Sequence, residues 1–168
     1  MKKTEKQKPY FDIFGDPNLS EREKYKYYTQ HDIYALQLKE NVRKVGKEKG
    51  LSSVINETRW LELQSSIVKL PFAPPYIEKL ILENKTFKEV QISDAPSWLS
   101  DWNPFYQEGM SLFFAIEYIK IRPFYFKYNG RLTVATISDE SVQFAQLLNE
   151  LHIPYEDDNG TFTIYGYR

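Results

Sequence analysis

The sequence predicts an α+β fold: an antiparallel sheet of about four to five strands with helices on one face, preceded by a long N-terminal helix. Three observations predict it. Apolar residues recur at steps of three and four near the start of the chain, the period of a helix with one buried side. β-branched and aromatic residues crowd the stretch after residue 110, where Ile119 and Ile121 face one way and Tyr118 and Lys120 the other. Asn129-Gly130 is the strongest hairpin signal, because both central residues of a type I′ turn need positive φ. A chain of 168 residues suits a single domain. Residues 1–50 read as an N-terminal arm and helix, and 51–168 as one α+β domain.

Residues 1–19 form the arm, closed by a turn at Gly15-Asp16-Pro17-Asn18. Ser20-Glu21-Arg22-Glu23 matches a capping box, in which the serine bonds the N3 amide and Glu23 reaches back. The helix it opens runs to about Val45, with Tyr28, His31, Ala35, Leu38, Val42 and Val45 as its apolar stripe. Gly46 and Gly50 end it. Asn56 caps a second helix from Glu57 to Leu70, buried through Trp60, Leu63, Ile67 and Leu70 and stopped by Pro71. Pro74-Pro75 opens a short third helix with Ile77, Leu80 and Ile81 inward.

Strands are expected from Thr86 to Ile92, from Leu112 to Arg122 and from Phe124 to Tyr128, with Leu132, Val134 and Thr136 returning after Asn129-Gly130. Residues 93–109 read as irregular. Ser138 caps a last helix that carries Asp139 and Glu140 in its first turn and points Phe144, Leu148 and Leu151 inward. Ile153-Pro154-Tyr155 and Thr161 to Tyr165 form a terminal hairpin about Asp158-Asn159-Gly160.

Composition excludes several classes of function. There is no cysteine, hence no disulfide framework, thiolate zinc site or cysteine nucleophile. The longest uninterrupted apolar run, Leu112 to Ile116, is far below the roughly 20 residues that span a bilayer, so no membrane partner is expected. The basic start lacks the apolar stretch of a signal peptide, and a cytoplasmic location follows as the expectation. The formal charge is −1, yet residues 1–50 hold 12 basic and 8 acidic side chains while residues 51–168 hold 10 and 15. That acidity argues against duplex DNA as the ligand of the folded core.

No catalytic constellation is legible. His31 and His152 are the only imidazoles, and neither has a neighbour at metal-ligand spacing. His31 lies on the apolar stripe and reads as a satisfied core residue; His152 reads as a cation at a helix C-terminus. The seven glycines form no phosphate-binding loop. Glu156-Asp157-Asp158 is the one dense carboxylate cluster; it reads first as a solvated turn and otherwise as an acidic patch aimed at a basic partner. No cofactor and no metal are implied.

Two features suit binding. Tyr25-Lys26-Tyr27-Tyr28, beside the arm residues Lys2, Lys3, Lys6 and Lys8, interleaves aromatics with cations as single-stranded nucleic-acid sites do, although packing of the rings into the core is the favoured reading. Trp98-Leu99-Ser100-Asp101-Trp102 places two indoles on an irregular segment. They are either interface anchors or the filling of a folded-over loop.

The order of segments resembles a bacterial family of unknown function, numbered 6678. Asn56-Glu57-Thr58-Arg59-Trp60, the Trp98–Trp102 loop, Ile116-Glu117-Tyr118-Ile119-Lys120-Ile121, and the ending Ile153-Pro154-Tyr155 with Thr163-Ile164-Tyr165-Gly166-Tyr167 carry the likeness over roughly residues 55–168. The resemblance implies small cytoplasmic proteins of the kind often encoded near polymorphic toxins, and it brings no catalytic residues. Lys69-Leu70-Pro71 and Pro75-Tyr76-Ile77-Glu78-Lys79-Leu80 are similar to a segment of SMI1/KNR4-like immunity proteins, without the Asn-Gly-Gly that usually follows there.

The function expected is therefore a non-enzymatic protein-binding module of the immunity or antitoxin type. Its partner is another protein, such as a basic toxin domain, met by Trp98, Asp101, Trp102, Glu156, Asp157 and Asp158. Single-stranded nucleic-acid binding through Lys2, Lys3, Lys6, Lys8, Tyr25, Lys26 and Tyr27 is the alternative. The sequence leaves the oligomeric state open.

Overall fold

The computed structural model describes residues 9–84 and 92–168. Lys2, Lys3, Lys6 and Lys8, and all but the last residue of the strand expected over 86–92, lie outside them. In chain order the helices are α1 (Tyr10–Phe14), α2 (Glu21–His31), α3 (Ile33–Glu48), α4 (Glu57–Ser66) and α5 (Ser141–Glu150). The strands are β1 (Tyr76–Leu80), β2 (Ile116–Ile121), β3 (Phe124–Lys127), β4 (Thr136–Asp139), β5 (Glu156–Asp158) and β6 (Thr161–Tyr165). Four strands form an antiparallel sheet in the order β1-β2-β6-β5, and β3 and β4 form a separate two-stranded ribbon. The class is α+β.

The long N-terminal helix is two helices. The capping box at Ser20 and Glu23 forms as expected, both arms in place. Asp32 then leaves helical conformation (ψ 128°), ends α2, and accepts a hydrogen bond from the Ala35 N–H at 2.9 Å to start α3. Burial works against ionisation of this carboxyl, but Ala35 and the hydroxyls of Tyr10 and Tyr28 donate to it and hold its pKa below the usual range. His31, expected in the core, is exposed; its ring stacks on Tyr27 and its Nδ1 lies 2.8 Å from the Tyr27 carbonyl. α3 runs through Gly46, and Gly50, at φ 67°, follows its end.

Pro74-Pro75 does not open a helix. Residues 76–80 are strand β1, paired from Tyr76 opposite Ile121 to Leu80 opposite Ile116. A proline leads into an edge strand as readily as into a helix, and the Tyr-Ile pair that follows prefers extended backbone. Before β2, Phe113–Ala115 make a 3₁₀ turn. Asn129-Gly130 makes no two-residue hairpin: β3 pairs Lys127 with Thr136, so an eight-residue loop, 128–135, joins the ribbon and leaves Leu132 and Val134 in solvent. The tight turn is at Asn159 (φ 50°) and Gly160 (φ 82°), between paired Asp158 and Thr161. Ser138 lies in β4, and Asp139 instead accepts the Ser141 N–H at the start of α5.

Ile119, Ile121, Phe162 and Ile164 project from one sheet face into a core shared with Trp60 and Leu63 of α4 and Phe144 and Leu148 of α5. The other face carries Lys79, Tyr118, Lys120, Thr163 and Tyr165. α2 joins the core through Tyr25, whose ring stacks on Phe113 at 4.9 Å and whose hydroxyl oxygen accepts the Phe113 N–H at 2.9 Å. α1 docks through Phe14, stacked on Tyr106 at 4.4 Å.

Candidate functional site

The segment after residue 98 is tied down by the Tyr76 N–H at the β1 edge, by the Pro74 carbonyl just before it and by the side chains of Tyr76 and Gln64. The Tyr76 N–H donates to Ser100 Oγ at 2.7 Å, and the Tyr76 hydroxyl donates to the Asp101 carbonyl at 2.6 Å. Trp102 Nε1–H donates to the Pro74 carbonyl at 2.9 Å, with its ring edge-on to Tyr76 at 4.6 Å. Gln64 of α4 reaches across to donate to the Asn103 carbonyl at 3.0 Å. Burial, with Glu78 and Asp101 nearby, raises the Tyr76 pKa, so its hydroxyl stays a donor at neutral pH.

These ties hold the segment 99–104 opposite α4 and its 3₁₀ extension, Ile67–Lys69, and between them lies a groove of about 950 Å³. Its lining is mostly apolar: Leu61, Ile67 and Val68 come from the helix and its extension, Phe72 and Ala73 from the turn, Leu99 and Trp102 from the segment opposite. Val68 is 85% exposed and Leu99 is also exposed. Glu21, Arg22, Glu62 and Asp101 supply the charge. All three of these carboxylates are engaged, Glu62 with Arg59 at 2.8 Å, Glu21 with the Tyr106 hydroxyl at 2.7 Å and Asp101 with the Asn103 N–H at 2.8 Å. Among the described residues no group of three or more His, Cys, Asp or Glu could hold a metal ion. The arrangement is a fixed, open, apolar cleft, suited to taking another molecule's side chains.

The residues expected at a partner surface fall in two places. Trp98 is 42% exposed beside the groove, Asp101 is exposed on its rim, and Trp102 is buried, an anchor of the loop and a wall of the cleft rather than a free indole. Glu156, Asp157 and Asp158 form β5, all exposed, on the far edge of the sheet from β1. Three inter-strand steps separate the edges, about 14 Å at the usual spacing. Each acid is also engaged close to home. Glu156 accepts from the Tyr165 hydroxyl and pairs with Arg168 at 2.5 Å, Asp157 accepts the Gly160 N–H at 2.8 Å, and Asp158 accepts from Asn159 at 3.1 Å.

On α2, Lys26 is exposed, whereas Tyr25 is in the core and cannot stack a base. Tyr25 and Tyr28 pack to the core, as favoured, whereas Tyr27 is half-buried and stacks on the exposed His31 ring. His152, at φ 54° after α5, is exposed and bonds locally to Asn149. Leu61 and Val68 are among the groove residues the sequence reading passed over. They sit one heptad apart, off the stripe of Trp60, Leu63 and Ile67, and this second apolar row was the available signal.

The model of a family of unknown function, DUF6678, matches residues 42–168. The chain belongs to that family. The match begins inside α3 and takes in every strand and the whole groove except Glu21 and Arg22. Neither among curated proteins nor among solved structures does any match the chain. Among the described residues no helix is long and apolar enough to cross a membrane.

Proposed function

We propose that this DUF6678 protein is a binding module that covers a functional surface of another protein, in the manner of an immunity protein or antitoxin, with the α4 groove as its contact site. The observation that carries the reading is the groove itself: a preformed apolar cleft whose loop wall is fixed by hydrogen bonds before any partner arrives, so that little ordering entropy remains to be lost on binding. Exposed Val68 and Leu99 line it, with Trp98 exposed beside it, an apolar surface of the kind that dominates binding energy. The acids of β5 lie far enough away to act by steering a basic partner rather than by direct burial.

The test uses the purified chain and the product of the neighbouring reading frame, followed by calorimetry and stopped-flow association. Val68→Asp, a change at a solvent-exposed position, should weaken binding by at least about tenfold through lost apolar contact and a buried charge. Charge reversal of Glu156, Asp157 and Asp158 should slow association and flatten its salt dependence while leaving dissociation alone. Unchanged affinity in Val68→Asp would remove the groove from the reading.

A further inference from the structure

We infer that the β3–β4 ribbon is a self-association surface, at which β4 pairs antiparallel with β4 of a second copy of this chain about a two-fold axis through Ile137. The ribbon's hydrogen-bond alternation exposes the edge. Phe126 donates its N–H outward, to the Pro96 carbonyl at 2.7 Å, and Glu140 donates inward to the Pro123 carbonyl at 2.8 Å. In an antiparallel ladder this makes Phe126 opposite Ile137 a non-hydrogen-bonded pair, so the N–H and C=O of Ile137 point out of the free side of β4. Among the described residues no strand but β3 pairs with it.

This edge is lightly defended, with Asp139 as its one charge. The sheet's β5 edge is Glu156-Asp157-Asp158, three charges that repel a further strand, whereas β4 is Thr136-Ile137-Ser138-Asp139, without lysine or proline. A two-stranded ribbon is also marginal by itself, and pairing across β4 would make a four-stranded sheet, β3-β4-β4-β3.

Exposed apolar side chains cluster on the ribbon and its flanks. Leu132 is 100%, Val134 88%, Ile137 58% and Val142 67% exposed. Antiparallel pairing about Ile137 sets Ile137 against its own copy, in a sheet whose flanking loop and helix also expose Leu132, Val134 and Val142. Charge agrees. No acid occurs from 119 to 138, and the register sets Asp139 of one copy opposite Ala135 of the other, so no like charges meet in the pairing. An isologous contact of this kind closes as a dimer.

Sedimentation equilibrium over a wide concentration range should show a reversible monomer–dimer equilibrium for the full chain, weakened roughly tenfold or more by Ile137→Lys, which defends the edge. Ile137 is exposed, and an unchanged circular dichroism spectrum checks that the variant folds. Because the chain has no cysteine, Ile137→Cys supplies one thiol. In the paired state its Cα lies roughly 5.5 Å from its copy, inside the disulfide range of about 4.4–6.8 Å. It should cross-link to a covalent dimer under mild oxidation, whereas Val68→Cys, exposed in the groove, should not. A monomer at every concentration, a dimer that Ile137→Lys leaves intact, or equal cross-linking at Val68 would each overturn the inference.

Discussion

Tyr25→Phe removes one oxygen from the place where the N-terminal helices meet the sheet domain. The Tyr25 hydroxyl oxygen accepts the Phe113 N–H at 2.9 Å, in a setting where Tyr25 and Phe113 are both buried. Burial, with Glu57 nearby, raises the phenol's pKa, so it is neutral at any ordinary pH. Deleting it keeps the stacking on Phe113 at 4.9 Å and the edge contact with Phe105 at 5.8 Å, and leaves the Phe113 N–H without that acceptor. An orphaned buried donor costs about 1–3 kcal/mol. For a chain of this size that is a fall in Tm of about 2–12 °C. Urea unfolding should show a lower midpoint with an unchanged slope, because the surface exposed on unfolding is the same. Tyr34→Phe, at an exposed ring, is the control and should change stability by less than about 0.5 kcal/mol. If Tyr25→Phe matches the wild type within that margin, α2 does not hold the 3₁₀ turn at Phe113, and the docking described for the N-terminal helices is wrong.

Three further outcomes follow from buried or strained positions. Glu140 is buried, the Phe72 N–H donates to its carboxylate, and its Oε2 has no hydrogen-bond partner; burial raises its pKa. A raised folded-state pKa contributes stability that is fully present below the unfolded value, about 4.3, and is lost as pH rises through the folded value. Glu140→Gln should therefore match the wild type at low pH and exceed it at neutral pH, by urea melts at both; a constant difference would show that ionisation is not the cause. Gly160→Ala puts a Cβ 2.7 Å from the Phe124 ring at φ 82° and should destabilise by about 1–3 kcal/mol. Gly50→Ala, at φ 67° with open space around it, should lose only about 1 kcal/mol in the same thermal melt.

Local chemistry was legible wherever one residue's side chain decides the backbone. The capping box at Ser20 and the cap at Asn56 form as read, and the Ile119/Ile121 alternation matches the strand register. Misreadings came where tertiary pairing chooses between two locally sound outcomes. Asn-Gly occurs twice, and the dipeptide turns tightly only at 159–160, where β5 and β6 are in register up to Asp158 and Thr161. At 129–130 the strands stop at Lys127 and start again at Thr136. Asp32 was hidden because the apolar stripe continues across the break, so the periodicity carried no sign that one helix had become two. The groove was the least visible feature. Its walls come from Leu61 and Val68 on one side and from residues 99–104 on the other, and only the hydrogen bonds of Tyr76 and Trp102 bring them together.

The seam at Tyr25 separates two ideas of where this molecule begins. The family pattern starts at residue 42, but the side chains that shelter Phe113 and Phe105 start earlier, with Phe14, Tyr25 and Tyr28. A fragment trimmed to the pattern would present an uncovered aromatic shelf to solvent and invite clumping. A fragment that keeps this shielding layer must include Tyr10 and its contact with Tyr28, and not start at the border drawn by sequence likeness.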